Sequence, residues 1–113
     1  MNETLKAVIV EVSGGNVRNY HINLRGAFGL FPDDAFGGPN ETVAGAVVKV
    51  TFGSEAIETD IDEGKAIFRE RGAIRRFFEN EAVVEGDLVL IERTGARSFE
   101  LRKASKRGFN IYL

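Results

Sequence analysis

Clusters of turn-forming residues cut this chain into short apolar runs, and that punctuation limits the folds open to it. Ser13-Gly14-Gly15-Asn16, Gly53-Ser54, Gly86-Asp87 and Thr94-Gly95 each interrupt a stretch rich in β-branched or alternating residues. Short strands between regular turns build barrels or sandwiches, whereas βαβ sheets need a helix between successive strands. The expected fold is therefore mainly β, with one or two short helices and a single domain over residues 1–113. Of the 113 residues 43% are hydrophobic, enough for one core without disulfides or metal.

Leu5 to Val12 reads as a strand that turns at Ser13–Asn16 and resumes at Val17 as a hairpin. In the second limb Tyr20, Ile22 and Leu24 share one face, which puts His21 on the other. Arg25 to Gly38 mixes Phe28, Leu30, Phe31 and Phe36 with glycines and Pro32 and has room for one or two helical turns. Val47–Phe52 and Ala56–Ile61 form a second hairpin pattern, with Ile57, Thr59 and Ile61 on one side and Glu58, Asp60 and Asp62 opposite. From Ala73 to Val83 the period changes, since Ile74, Phe77, Phe78 and Ala82 fall on one helical stripe and leave Arg75, Arg76 and Glu79 outside it. Beyond it come strands at Leu88–Glu92 and Ser98–Arg102, with Phe99 and Leu101 inward, and a last one at Phe109–Leu113.

Cysteine is absent and His21 is the only histidine, so thiolate chemistry, histidine triads and multi-histidine metal sites are excluded. Asp60-Ile61-Asp62-Glu63-Gly64 starts like a calcium loop, but its glycine comes one position early and Arg71 stands where a bidentate glutamate belongs. Asp33-Asp34 after Pro32 reads as the start of a short helix rather than a catalytic pair. Phosphate-cradling glycine motifs are missing as well. Neither a catalytic centre nor a cofactor nor a metal is expected. No apolar run approaches the roughly 20 residues of a membrane helix, and Met1–Lys6 lacks the pattern of a signal peptide, so a cytoplasmic protein is expected.

The net charge is −2, yet it is unevenly spread. Between Ala27 and Gly64 there are eight acids against Lys49 alone. From Lys65 to Arg76 the balance reverses, with Lys65, Arg69, Arg71, Arg75 and Arg76 against Glu70, and a second basic group runs Arg93, Arg97, Arg102, Lys103, Lys106 and Arg107. Guanidinium groups in a loop suit phosphate oxygens or guanine edges; a merely solvated charged surface is the alternative.

Phe68-Arg69-Glu70-Arg71-Gly72-Ala73-Ile74-Arg75-Arg76-Phe77-Phe78, followed by Val84-Glu85-Gly86-Asp87-Leu88-Val89-Leu90-Ile91-Glu92, resembles the second half of a B3 domain. Upstream, Asn19-Tyr20-His21-Ile22-Asn23-Leu24, Phe31-Pro32-Asp33-Asp34-Ala35-Phe36-Gly37-Gly38 and Thr59-Asp60-Ile61-Asp62 are similar to the same group in the same order, over roughly Val8 to Lys103. The nearer branch is that of the recognition domains of bacterial restriction endonucleases. The resemblance implies a seven-stranded open pseudobarrel that grips the major groove of double-stranded DNA with two loop arms. Ser13 to His21 would be the N-arm, with Asn16, Arg18, Asn19 and His21 as contacts. Asp60 to Arg71 would be the C-arm, with Asp60, Lys65, Arg69 and Arg71. By donor chemistry the arginines take guanine or phosphate, Asn19 suits adenine, Asp60 could accept from cytosine, and Lys65 suits phosphate. For Asp60 an ion pair with Arg69 or Arg71 is an equal alternative.

Ala73 replaces the aromatic that usually follows the C-arm glycine in plant B3 domains, so plant-type base preferences do not carry over. The expected function is sequence-specific DNA binding in a restriction or regulatory system, by a monomer serving a nuclease domain or subunit elsewhere. The alternative is a protein-interaction or structural β-barrel module.

Overall fold

A computed structural model describes residues 6–104. In chain order its strands are β1 (Ala7–Glu11), β2 (Phe36–Gly37), β3 (Val48–Phe52), β4 (Glu55–Thr59), β5 (Ile61–Asp62), β6 (Ile67–Phe68), β7 (Leu88–Gly95) and β8 (Ser98–Ala104), with helices α1 (Gly14–Asn19) and α2 (Arg71–Asn80). The larger sheet has the order β1-β7-β8-β3-β4, antiparallel except where β8 and β3 run parallel. The smaller sheet is β2-β5-β6, with β2 and β5 parallel. The fold is mainly β, and among the described residues neither sheet closes into a barrel. Among the described residues there are eight strands rather than seven, and three two-residue strands form a sheet of their own. The expected strand at Phe109–Leu113, and Lys106 and Arg107, lie outside the described residues.

The core lies under the larger sheet and is built largely from aromatic rings. Phe31 meets Phe68 and Phe99 with ring centroids 5.8 and 4.6 Å apart, and Phe52 meets Phe77 at 5.6 Å. Each fully buried side chain of this size contributes about 1.5–3 kcal/mol relative to exposure. Val48, Val50, Val89, Ile91, Phe99 and Leu101 alternate inward along β3, β7 and β8, as the two-residue period requires.

The Val47–Ile61 hairpin forms around Gly53-Ser54, with Val50 opposite Ile57. Helix α2 forms where the apolar period shifts, and Ile74, Phe77 and Phe78 are buried. Ala82 departs from that stripe: it lies beyond the helix end, exposed, with φ 51°. The turn placed at Thr94-Gly95 falls at Ala96-Arg97, because an irregularity between Arg93 and Gly95 extends β7.

Two further local expectations are corrected. Ser13–Val17 does not make a hairpin, because the same residues cap a helix. The Ser13 Oγ accepts from the Asn16 N–H at 3.1 Å, while Asn16 Oδ1 accepts from the Ser13 N–H at 3.1 Å. This reciprocal box opens α1. Residues 20–24 then run without a strand ladder. Ile22 and Leu24 still point inward, and the Leu24 N–H donates to the Ala66 carbonyl at 2.8 Å.

The acids expected on the outer side of the 56–62 run are also redirected, since Asp60 and Asp62 are buried at 3% and 6% exposure. The ladder breaks between β4 and β5, so alternation does not continue through Asp60. Asp62 turns inward to accept the Lys65 N–H at 3.0 Å, which closes the turn between β5 and β6.

Candidate nucleic-acid interface

The segment Ser13–His21 is α1 and its exit, and residues 60–71 are a short hairpin, β5 and β6, that runs into α2. The stretch 13–25, α1 with the residues that follow it, meets residues 60–71 at three points. Arg71 Nη2 donates to the Asn19 carbonyl at 2.9 Å, Arg25 Nη2 donates to the Gly64 carbonyl at 3.3 Å, and Leu24 N–H bonds Ala66 as above. Tyr20, at φ 57°, ends α1, and the Arg75 guanidinium lies 5.4 Å from the centre of its ring.

Arg25, Lys65 and Arg71 are exposed and have no carboxylate within ion-pairing distance among the described residues. The second basic group fares differently. Arg97 pairs with Asp34 at 2.9 Å, Arg102 with Glu92 at 2.8 Å and Lys103 with Asp87 at 3.7 Å. Arg93 donates to the carbonyls of Leu30, Gly95 and Ala96. Uncompensated positive charge therefore gathers where the two segments meet, and the basic side chains on β7 and β8 are spent on the fold.

His21 sits in this region, but its ring does not project freely. Nε2 is buried and meets no hydrogen-bond partner among the described residues. Burial lowers the pKa, and the positive charges of Arg71 and Lys65 lower it further. Both effects favour the neutral ring, and Nε2 is enclosed rather than presented outward.

The residues read as the two arms divide into distinct groups. Asn19, Lys65 and Arg71 come together at the junction, beside His21. Asn19 Nδ2 donates to the Gly15 carbonyl at 3.0 Å and its side chain remains exposed. Asn16 is engaged in the capping box. The Arg18 guanidinium folds back over Gly14, near Glu85.

Asp60 and Arg69 stand apart from the rest. Arg69 Nε and Nη2 donate to Asp60 Oδ1 and Oδ2 at 2.6 and 2.9 Å, and Nη2 also donates to the Gly38 carbonyl at 2.8 Å. Asp60 Oδ2 additionally accepts the Gly45 N–H at 2.6 Å. Burial alone would raise the Asp60 pKa, but the bonds from Arg69 and Gly45 outweigh it and hold the carboxyl below its ordinary value. Two glycines permit this close packing. A Cβ on Gly37 would lie 2.3 Å from the Gly45 nitrogen and 2.6 Å from Asp60 Oδ2, and a Cβ on Gly45 would lie 2.7 Å from the Phe36 oxygen. The ion pair thus ties the 37–45 loop to β5 and β6, and it takes Asp60 and Arg69 out of the set free to meet a ligand.

Arg25 and Arg75 join the junction although neither was among the residues assigned to the two arms. Arg25 immediately follows the buried Leu24, and Arg75 is one helical turn from Arg71; those spacings are the available signals. No described helix is long and apolar enough to cross a membrane.

No family model and no curated protein matches the chain by sequence. Among solved structures, a hypothetical protein of Arabidopsis thaliana shares the fold, with a TM-score of 0.55 at 13% identity over 93% of this chain and 96% of that one.

Proposed function

We propose that this chain binds double-stranded DNA with the surface where α1 meets the β5–β6 hairpin, as the resemblance to B3 domains implies. One observation carries the reading: Arg25, Lys65 and Arg71 converge there without carboxylate partners among the described residues, in a protein of net charge −2 whose other described arginines and lysines are mostly paired. Bonds to main-chain carbonyls fix that surface before any ligand arrives, which limits the ordering cost of binding. Asn19 supplies an amide for a base edge, Arg71 retains donors beyond the one given to Asn19, and Lys65 and Arg25 take phosphate. Arg18 serves at the margin if it swings from Gly14, and Asn16 supports α1.

The chain itself performs no chemistry in this reading. It serves as the recognition part of a restriction or regulatory system, and a nuclease domain or subunit acts on the bound DNA.

The test is selection from a random duplex library, followed by anisotropy titration of the selected duplex over a salt series. Enrichment of a short motif, blurred by Asn19→Ala, with affinity falling steeply as salt rises, is the expected result. Absence of salt-dependent duplex binding would replace this reading with a protein-interaction module.

A further inference from the structure

Arg75 follows Arg71 by four residues on α2, so both side chains leave the same face of the helix, separated by a rise of about 6 Å. Ile74, Phe77 and Phe78 anchor the adjoining face in the core, which fixes the direction of that stripe. Its two arginines are joined to α1 at neighbouring residues, Arg71 through the Asn19 carbonyl and Arg75 over the Tyr20 ring. The stripe is thus continuous with the junction surface rather than a separate patch.

Its next member is acidic. Glu79 Oε2 lies 3.1 Å from Arg75 Nε, with both side chains more than half exposed. Exposed pairs at this spacing are weakly held and screened by salt, so a phosphate can displace the carboxylate. Arg76, the adjacent residue, differs, because its guanidinium bonds both carboxylate oxygens of Glu55, on β4.

We infer that Arg71 and Arg75 form a phosphate-tracking stripe that carries the duplex along α2 beyond the two arms, and that Glu79 repels the backbone and marks where the contact ends. This inference rests on the DNA reading above. It adds a contact element that holds the backbone without reading sequence.

The experiment measures anisotropy with a mixed-sequence duplex over a salt series, using the unaltered protein, Arg71→Ala, Arg75→Ala, Arg75→Lys, Glu79→Gln and, as a control, Arg76→Ala. Arg75→Ala is expected to bind roughly threefold to tenfold more weakly, with a logarithmic salt slope shallower by about one. Arg75→Lys should keep the slope, Glu79→Gln should bind about twofold to threefold more tightly, and Arg76→Ala should match the unaltered protein. Base preference in the selected library should be unchanged by Arg75→Ala. An unchanged slope in Arg75→Ala, alongside weakened binding by Arg71→Ala, would overturn this inference alone; so would a changed base preference. Failure of the unaltered protein to bind any duplex would overturn the underlying reading and this inference with it.

Discussion

Arg69 and Arg71 stand two residues apart in the same basic run, and the fold gives them opposite employment. Arg69 leaves the end of β6 toward the interior, is 17% exposed, and places its donors on Asp60 and Gly38. Arg71 begins α2, faces solvent, and among the described residues hydrogen-bonds only the Asn19 carbonyl. Donor chemistry alone therefore does not assign a basic residue to a ligand. What decides is whether a buried carboxylate of the same chain holds it.

The comparison is broken most forcefully at Arg69. Replacing it by alanine leaves the Asp60 carboxylate buried without its counter-ion, and urea unfolding should show a loss of about 3 kcal/mol. Folded Arg69→Ala should still bind duplex; lost DNA binding at unchanged stability would return Arg69 to the contact surface. Acid probes the same pair. Because the Asp60 pKa lies below its ordinary value in the folded state, its contribution is fully present above about pH 5 and is lost as pH falls below about 4. Asp60→Asn should flatten the stability profile in that acid range, and an unaltered profile would show that other carboxylates govern it.

Arg71→Ala has the converse signature. Stability should change by no more than about 0.5 kcal/mol, while duplex affinity falls about tenfold. A large stability loss in this variant would mean that the Asn19 contact holds the fold together. The smallest effect is expected at Asn16, where alanine removes one half of the capping box and costs about 0.5–1 kcal/mol, read by hydrogen exchange in α1.

Much of the fold was legible in residues 47–101, where period-two burial and the single change of period at Ile74 are strong signals. Val50, Phe99 and Leu101 point inward where alternation puts them. Between Ser13 and Leu24 the signal was ambiguous for a physical reason: serine and asparagine both make turns and cap helices, and only the reciprocal Ser13–Asn16 bonds select the helix. At the candidate site, Lys65 and Arg71 were read from charge and resemblance. Arg25 was missed because its place depends on Gly64, 39 residues away. The duty of Asp60 was left undecided for a similar reason, since Gly37, Gly38 and Gly45 bring a distant loop onto it.

The parallel contact of β3 with β8 has a consequence for assembly. On the edge of β3 that faces away from β4, Lys49–Thr51 pairs with Ser98–Glu100, with β4, the β5–β6 hairpin, α2 and β7 intervening in sequence. The larger sheet cannot close until β8 has emerged, so its completion is a late, non-local event in folding. Until then one edge of β3 offers unpaired amides and carbonyls to any neighbouring chain. A fragment cut after Gly95 should therefore aggregate rather than fold, even though it retains the entire junction of α1 with the β5–β6 hairpin.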